Sequence, residues 1–366
     1  MTPMRVVART RWCFANQSWM ATVMNLMDGR EDITGEDGGP GWSGPVPNLA
    51  DVFRARAVIR QYLKPTPLLR VPVLSQRLGF EVLVKAESLN PTGAFKVRGG
   101  LFYMSQLSSA ARERGVVAAS TGNHGQSIAY AAREFGSSAT IFVPTLANPI
   151  KVAAMQQLGA TVVHHGLDFD ECLVAAREYA EESGRVFIHS ANEPDLIAGV
   201  ATHTLEILDE APEVDAIFVA TGGGSGLCGA CVAGKAIKPD LQVVGVQAEG
   251  APVIRDSLHD RRLYRYERMS TFAEGIATRE AFALPARILW EMVDDIEVVS
   301  DAELRQSMLT LLETTRLLAE GAGAAGLAGA RKRRQSLQGK TVAVIVSGGN
   351  VTMDGLAEAM NEERAW

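Results

Sequence analysis

Apolar positions from about Pro47 onward occur in short runs that alternate with helical patterns. The runs are rich in valine, isoleucine and phenylalanine, as in strands that are buried on both faces. They are EVLVKAE (81–87), GVVAAS (115–120), ATIFVP (139–144), ATVVHH (160–165), DAIFVAT (215–221), LQVVGVQ (241–247) and TVAVIVS (341–347). The alternation predicts an α/β protein with parallel, doubly wound sheets.

Two of the intervening helices have clear ends in the sequence. Asn148 is a predicted N-cap with Pro149 at the first helical position, and Gly159 is predicted to end that helix. A second helix is predicted from about 168 to 183, with Gly184 as its stop. These two helices flank the run at 160–165, as expected for alternating strands and helices.

The first 46 residues lack this pattern. Residues 31–46, EDITGEDGGPGWSGPV, mix glycine, proline and acidic residues, which predicts a flexible connection outside the core. The segment before Asp28 contains arginine and no acidic residue, which weakly resembles an organellar transit peptide. A misassigned start, with Met20, Met24 or Met27 as the true one, explains it equally well. We therefore predict a flexible N-terminal extension over residues 1–46.

Composition narrows the class of protein. The 366 residues leave room for about two domains, and 47% hydrophobic with 21% charged residues excludes disorder over the whole length. A net charge of −6 favours a small-molecule partner over nucleic acid. Four cysteines, including the C-x-x-C of Cys228 and Cys231, are too few for a disulfide framework and predict core packing in the reducing cytoplasm. The sequence contains no run of 18 or more apolar residues, so no membrane-spanning helix is predicted.

Three glycine-rich turns directly follow predicted strands. They are STGNH (120–124), TGGGSG (221–226) and SGGN (347–350), and the first two precede helical patterns. Ligands of open α/β sheets bind at the carboxyl ends of strands, and backbone amides at helix N-termini bind carboxylates and phosphates. The turns match neither the Walker A motif nor G-x-G-x-x-G, so a nucleotide is not favoured.

One lysine lies in an unusual position. Lys96 follows a rigid Pro-Thr-Gly turn in SLNPTGAFKVRGG (88–100), at the predicted start of a helix. A cation is unfavourable there unless its charge is lowered or an anion lies beside it. Both conditions suit a lysine that forms a Schiff base, whereas most lysines are solvated surface charges.

The segment NPTGAFKVRGG resembles the cofactor-lysine motif of fold-type II pyridoxal-phosphate enzymes, the tryptophan synthase beta-like fold. Its FKVRG resembles the serine/threonine dehydratase (threonine ammonia-lyase) and serine racemase branch, whereas cysteine and threonine synthases tend to have Asp where Val97 stands. The resemblance covers roughly residues 50–357 and includes HSANEPDLIAGVAT and LAEGAGAAG. It implies two doubly wound parallel-sheet lobes with pyridoxal 5'-phosphate between them: a large lobe of 47–107 and 191–366, and a small mobile lobe of 108–190.

The same resemblance implies roles for single residues. Lys96 would form the Schiff base beside Phe95, Asn123 would contact the ring hydroxyl, Glu320 would line the cofactor pocket, and Ser347 would accompany the pyridine nitrogen. The phosphate would be held by Gly222, Gly223, Gly224 and Ser225, and the substrate carboxylate by Ser120, Thr121, Asn123 and His124.

The implied activity is that of an ammonia-lyase converting L-threonine, L-serine or a related β-hydroxy amino acid to a 2-oxo acid and ammonia. A hydroxyl at Ser347 does not favour a protonated pyridine, which favours β-elimination. The alternatives are a serine or hydroxyaspartate racemase using Thr121 as second acid/base, where related racemases have serine, and a dehydratase of ectoine-type catabolism. A non-catalytic cofactor-binding protein would be expected to have lost Lys96 or a glycine turn.

Assembly and metal dependence are the remaining expectations. The resemblance implies a homodimer or homotetramer, and the absence of a regulatory domain after Trp366 resembles catabolic dehydratases. Metal-dependent members of the branch place Glu and Asp six residues apart, where this chain has Gln247 and Val253. Neither side chain supplies a charged ligand, and Glu249 lies two residues from Gln247, so no divalent-metal site is predicted. Dependence on a monovalent cation is left undecided by the sequence.

Overall fold

The structure is a computed structural model that describes residues 29–35 and 38–361. The strands in this part of the chain are Arg30–Asp32 (β1), Leu68–Arg70 (β2), Glu81–Lys85 (β3), Val116–Ala119 (β4), Ala139–Val143 (β5), Thr161–His164 (β6), Val186–Phe187 (β7), Ala216–Ala220 (β8), Gln242–Ala248 (β9), Tyr264–Tyr266 (β10), Asp295–Val299 (β11) and Thr341–Ile345 (β12).

The helices alternate with these strands. They are Leu49–Ile59 (α1), Pro72–Leu78 (α2), Val97–Gln106 (α3), Ser109–Arg114 (α4), Asn123–Glu134 (α5), Pro149–Gln157 (α6), Phe169–Ser183 (α7), Pro194–Glu210 (α8), Ser225–Ile237 (α9), Val253–Asp260 (α10), Ala283–Met292 (α11), Asp301–Thr315 (α12), Gly321–Lys332 (α13) and Met353–Met360 (α14). Short 3-10 turns lie at Glu87–Leu89 and Glu274–Ile276.

The larger sheet has the order β11-β9-β8-β12-β3-β2 in the described residues. Its strands are parallel except β2, which pairs antiparallel with β3 at the edge. Both faces are covered, because Leu83 packs in one core cluster while Val82 and Val84 pack in the other. The continuous apolar runs in the sequence reflect this burial on two sides.

The smaller sheet is fully parallel, with the order β6-β5-β4-β7. Val116 and Ala118 face a core that also contains Val97 and Leu101 of α3. Helix α3 therefore packs against the smaller sheet's layer as well as against α8. This packing places Lys96, the residue before α3, where the two sheets' layers meet. The lobe boundaries at 107 and 190 stay predictions.

The fold-class prediction is confirmed, and all seven apolar runs form strands. Asn148 caps α6 through its side chain, and α7 begins after Asp168 and ends before Gly184. The sequence missed β2, β7, β10 and β11, because these strands are short or, like the DIEVV of β11, interrupted by charged residues. Cys228 and Cys231 are buried free thiols in α9.

The expected flexible connection at 31–46 differs from the structure. Strand β1 pairs antiparallel with β10, and Ile33, Trp42 and Val46 pack against a core cluster of the larger sheet. Hydrophobic side chains spaced far apart in a Gly/Pro-rich segment give no period, yet a distant core can still bury them. Residues 1–28 of the predicted extension lie outside the described residues. In the described part of the chain, no helix has the length and apolarity to cross a membrane.

Candidate active site

The candidate site is a cavity at the carboxyl ends of β4, β8 and β12. It encloses about 890 Å³, including its opening to solvent. Every site residue predicted from the sequence lines it, namely Phe95, Lys96, Ser120, Thr121, Asn123, His124, Gly222, Gly223, Gly224, Ser225, Glu320 and Ser347. Parallel strands end at the same edge of a sheet, so turns far apart in sequence converge there. The role of each residue stays a prediction.

Lys96 points its amine into this cavity. Its Nζ donates to Ser225 Oγ at 2.7 Å and lies 3.4 Å from the carbonyl oxygen of Ser190. Burial lowers the pKa of Lys96 from its usual value to about 8. A substantial fraction of this amine is therefore neutral near physiological pH, the state needed for attack on a carbonyl or for accepting a proton.

The lysine turn is fastened to the turn after β12. The amide of Phe95 donates to the Ser347 carbonyl at 2.9 Å, and the Gly349 amide donates to the Gly93 carbonyl at 2.9 Å. Ala94 and Gly348 form an isolated antiparallel bridge between these bonds. Lys96 and Ser347 are thus held in fixed relative positions by backbone pairing.

The glycine turn after β8 forms a cradle of bare backbone at the start of a helix. Gly224 has φ +95°, a left-handed conformation, and Ser225 begins the 13-residue helix α9. A Cβ on Gly222 would lie 2.5 Å from the Gly275 carbonyl oxygen, so the backbone segments approach too closely for a side chain. Helix amides and a bare backbone at this point suit a phosphate group.

The turn after β4 also leads directly into a helix, α5. Ser120 Oγ accepts from the amides of Gly122 and Gly125 at 2.9 and 2.8 Å, which shapes the turn and leaves only its hydrogen to donate. Burial, followed by the charge of Lys96, lowers the pKa of His124 to about 3. His124 is therefore neutral, and a carboxylate bound here would depend on hydrogen bonds from the start of α5.

A chain of hydrogen bonds and ion pairs links side chains from several of the segments that line the cavity. Asn123 Nδ2 donates to Glu320 Oε1 at 2.5 Å, and Asn123 Oδ1 accepts from Asn350 at 2.8 Å. Lys151 Nζ lies 3.1 Å from Glu320 Oε2 and 2.7 Å from Glu274 Oε2. Burial alone would lower the pKa of Lys151, but the two carboxylates outweigh it and raise the pKa.

Sequence reasoning missed Lys151, Glu274 and Phe169, all of which line the cavity. Lys151 carried a usable signal, because it lies in the first turn of α6, where a cation is disfavoured unless an anion lies beside it. The same argument singled out Lys96. Glu274, in a 3-10 turn, carried no signal, because its partner is 123 residues away in the chain.

Four buried charges lie behind the lysine turn. Arg98, fully buried in α3, bonds Glu87 at 2.7 and 2.8 Å and Glu206 at 2.7 and 2.8 Å. Lys85 donates to Glu206 at 2.6 Å. Two cations and two carboxylates balance, and the cluster joins β3, the turn at Glu87–Leu89, α3 and α8.

Comparison with known proteins decides the family. A family model described as pyridoxal-phosphate dependent enzyme matches residues 59–348. The chain belongs to this family. Pyridoxal phosphate is accordingly the cofactor of this protein. The fold prediction and the predicted family membership are both confirmed.

Three relatives of this pyridoxal-phosphate enzyme illustrate the similarity. It is 39% identical to an L-threonine ammonia-lyase of Thermotoga maritima, over 86% of this chain and 78% of the relative. It is 36% identical to an L-threo-3-hydroxyaspartate ammonia-lyase of Saccharomyces cerevisiae, over 84% and 94% of the two chains. The structure of maize serine racemase matches with a TM-score of 0.82 at 29% identity, covering 86% of this chain and 97% of that one.

The cavity of this pyridoxal-phosphate enzyme fits its cofactor on chemical grounds. A buried amine of lowered pKa suits an aldehyde, and a cradle at a helix N-terminus that a Cβ would fill suits a phosphate. Ser347, 6% exposed, supplies a hydroxyl and Asn123 an amide at the same cavity. The residues that would hold the cofactor are therefore Lys96, the 222–225 turn, Asn123 and Ser347.

Proposed function

We propose that this protein is an ammonia-lyase that removes water from L-threonine, L-serine or a related β-hydroxy amino acid and releases a 2-oxo acid and ammonia. The chain is a pyridoxal-phosphate-dependent dehydratase, in line with its 34 to 39% identity to L-threonine ammonia-lyases and dehydratases. The observation that carries the proposal is the Lys96 amine, which lies in the cavity next to the glycine cradle.

The chemistry divides between the cofactor and the chain. When bound, pyridoxal phosphate withdraws electrons from the bonds at Cα of an amino acid. Lys96 then acts as general base at Cα, because its lowered pKa of about 8 lets it accept a proton near neutral pH and return it. Overall, a C–H bond at Cα and a C–O bond at Cβ break, and water re-enters when ammonia leaves, so no oxidant is required.

Ser347 favours elimination over other fates, and the turn after β4 would hold the substrate. Ser347 presents a hydroxyl, which lies 3.3 Å from the Ala322 carbonyl and can rotate to another acceptor. A hydroxyl does not hold a ring nitrogen in its protonated form as a carboxylate would. The amides at the start of α5 would bind the substrate carboxylate, with Ser120, Thr121, Asn123 and His124 around it.

Racemisation is the second candidate. Thr121 lies on the turn after β4 and lines the cavity, as Lys96 does. The Thr121 hydroxyl and the Lys96 amine therefore reach the cavity from different elements. The similarity to maize serine racemase supports this alternative. The extra methyl group of threonine, compared with serine, disfavours a precise acid/base position and ranks racemisation below elimination. A hydroxyaspartate substrate and ectoine-type catabolism are variants of the same chemistry.

One experiment separates these functions. Purified protein loaded with pyridoxal phosphate is incubated with L-threonine, L-serine and other β-hydroxy amino acids, and 2-oxo acid and inverted amino acid are measured together. We expect 2-oxo acid to exceed inverted product. Inverted product in excess would assign a racemase. The absence of both products would favour a cofactor-binding protein without catalysis.

The assembly and location belong to the same proposal. We expect a homodimer or homotetramer in the cytoplasm, whose only partner at this site is a small amino acid. Light scattering after size-exclusion chromatography of the loaded protein measures the assembly, and a monomer would contradict it.

A further inference from the structure

The cavity holds few ionisable side chains, and their charges can be counted. In the described part of the chain, the ionisable residues lining it are Lys96, His124, Lys151, Glu274 and Glu320. His124 is neutral because its pKa is lowered to about 3. If Lys96 serves the cofactor, as the proposed function requires, one ammonium group and two carboxylates remain. The rest of the lining is therefore negative by one charge.

Lys151 is not available as a free cation. Its side chain is only 4% exposed, and its Nζ is bonded to Glu274 at 2.7 Å and lies 3.1 Å from Glu320. These two carboxylates come from the 3-10 turn at Glu274–Ile276 and from the residue before α13, whereas Lys151 belongs to α6. A third carboxylate would meet an ammonium group whose charge two carboxylates already outweigh.

Apart from Lys151 and Glu274, the lining residues that the sequence did not predict are uncharged. No arginine lines the cavity among the described residues. Apolar or hydroxyl side chains also line the cavity, namely Phe169, Ala220, Ala277, Thr278 and Phe282. Burying an ionised group among such groups is costly unless a cation pairs with it. A methyl group or hydrogen, by contrast, gains from the same surroundings.

We infer that this site selects β-hydroxy amino acids with an uncharged side chain and rejects those with a second carboxylate, with Glu274 as a specificity-determining residue. The inference rests on the proposed function and narrows its substrate class. Glu274 adds a second carboxylate to Lys151, beside Glu320, and so neutralises the one cation among the described lining residues that could bind a second carboxylate of the substrate. The sequence similarity to a hydroxyaspartate ammonia-lyase does not extend to the substrate.

The test compares kcat/KM for L-threonine and L-threo-3-hydroxyaspartate in the loaded enzyme. We expect wild type to favour L-threonine by at least about tenfold. In Glu274→Gln, Lys151 keeps one carboxylate and the lining becomes neutral, so the ratio of hydroxyaspartate to threonine efficiency should rise about tenfold. The control is Glu280→Gln, a carboxylate six residues on that pairs with Arg265 outside the cavity, and it should leave the ratio unchanged.

Equal efficiency on both substrates in wild type, or an unchanged ratio in Glu274→Gln, would overturn the inference. Loss of elimination with every β-hydroxy amino acid would instead contradict the proposed function. In that case the inference is still tested by binding of the two amino acids, which is followed through the absorption of the bound cofactor. Tighter binding of hydroxyaspartate than of threonine would overturn the inference there too.

Discussion

At the scale of single residues, burial and position on a helix explain why one lysine is chemically different. Lys96 is the residue before α3, so the helix dipole and burial both disfavour its charged form. Its bond to Ser225 connects it to the glycine cradle. The unusual chemistry of this residue thus follows from its surroundings.

The first prediction concerns the bond between Lys96 and the cofactor. Lys96→Ala should abolish covalent attachment and lower turnover by about 10²–10⁴-fold, the usual contribution of a general base. Mass spectrometry after borohydride reduction locates the attachment, and Lys235→Ala, a lysine outside the cavity that pairs with Asp294, is the control. Full turnover and retained attachment in Lys96→Ala would refute the assignment.

A second prediction assigns reaction choice to Ser347. Ser347→Asp places a carboxylate where the hydroxyl lies and should favour a protonated ring nitrogen. Elimination should then fall relative to exchange of the Cα proton with solvent, measured by deuterium incorporation alongside 2-oxo acid release. An unchanged ratio of exchange to elimination would count against a role for Ser347.

At the scale of elements, the buried charge cluster holds the lysine-bearing helix in place. Arg98 joins α3 to Glu87, next to β3, and to Glu206 of α8. Its guanidinium keeps the pKa of Glu87 at about 2, although burial alone would raise it. Every member is bonded, so the cluster fixes the angle at which α3 leaves the lysine turn.

Removal of Arg98 should therefore be strongly destabilising. Arg98→Met leaves two buried carboxylates with a single cation, at a cost of about 3–5 kcal/mol in the free energy of unfolding. Arg287→Met, which breaks the exposed pair with Glu291 on α11, should cost under about 1 kcal/mol. Denaturant unfolding of both loaded variants measures the difference, and equal costs would contradict the role of the cluster.

The two positions at which no divalent-metal site is predicted, Gln247 and Val253, lie in β9 and just after the loop that follows it. Gln247 is fully buried, donates to the Ala251 carbonyl at 3.1 Å and accepts from the Arg255 amide at 2.8 Å. Val253 is also buried. The Gln247 amide thus already bonds the backbone groups around this position, and neither side chain offers a charged oxygen.

We therefore expect activity to be unaffected by excess chelator and by added Mg²⁺. Assays of the loaded enzyme with and without chelator, and with Glu249→Gln as comparison, provide the measurement. Activity that collapses in chelator, returns with Mg²⁺, and fails to return in Glu249→Gln would restore a metal-dependent mechanism.

At the scale of the whole molecule, ion pairs join residues of the predicted small lobe, 108–190, to residues of the predicted large lobe. Lys151 binds Glu274, and Arg279 binds both Asp168, 2.7 Å from its Nη2, and Asp170. Asp168 also caps α7, so the pair fixes the end of a helix whose first residue, Phe169, lines the cavity. The cavity is therefore bounded by contacts between segments that are far apart in the sequence.

Weakening this connection should affect substrate binding more than chemistry. Arg279→Gln removes two partly exposed ion pairs made through one guanidinium nitrogen, together worth about 1 kcal/mol, so KM for L-threonine should rise up to about fivefold with a smaller change in kcat. Arg265→Gln, which loses pairs with Glu280 and Glu31 outside the cavity lining, is the control. A fall in kcat with unchanged KM would contradict this connection.

Local sequence determined the elements and the identity of the chemistry-bearing turns. Strand runs, the cap at Asn148, the helix at about 168 to 183 and the Lys96 turn depend on spacing within a few residues, so the chain alone predicts them. The family resemblance added the cofactor and the candidate roles around it.

Tertiary structure decided which groups meet. Glu320 lies 197 residues from Asn123, and Glu274 lies 123 residues from Lys151, so no local period records these pairs. The pairing of β1 with β10 likewise spans more than 200 residues and overrides the Gly/Pro-rich composition that predicted a flexible connection. Sheet order and helix packing bring such residues together, and they set the charge balance of the cavity, on which substrate choice depends.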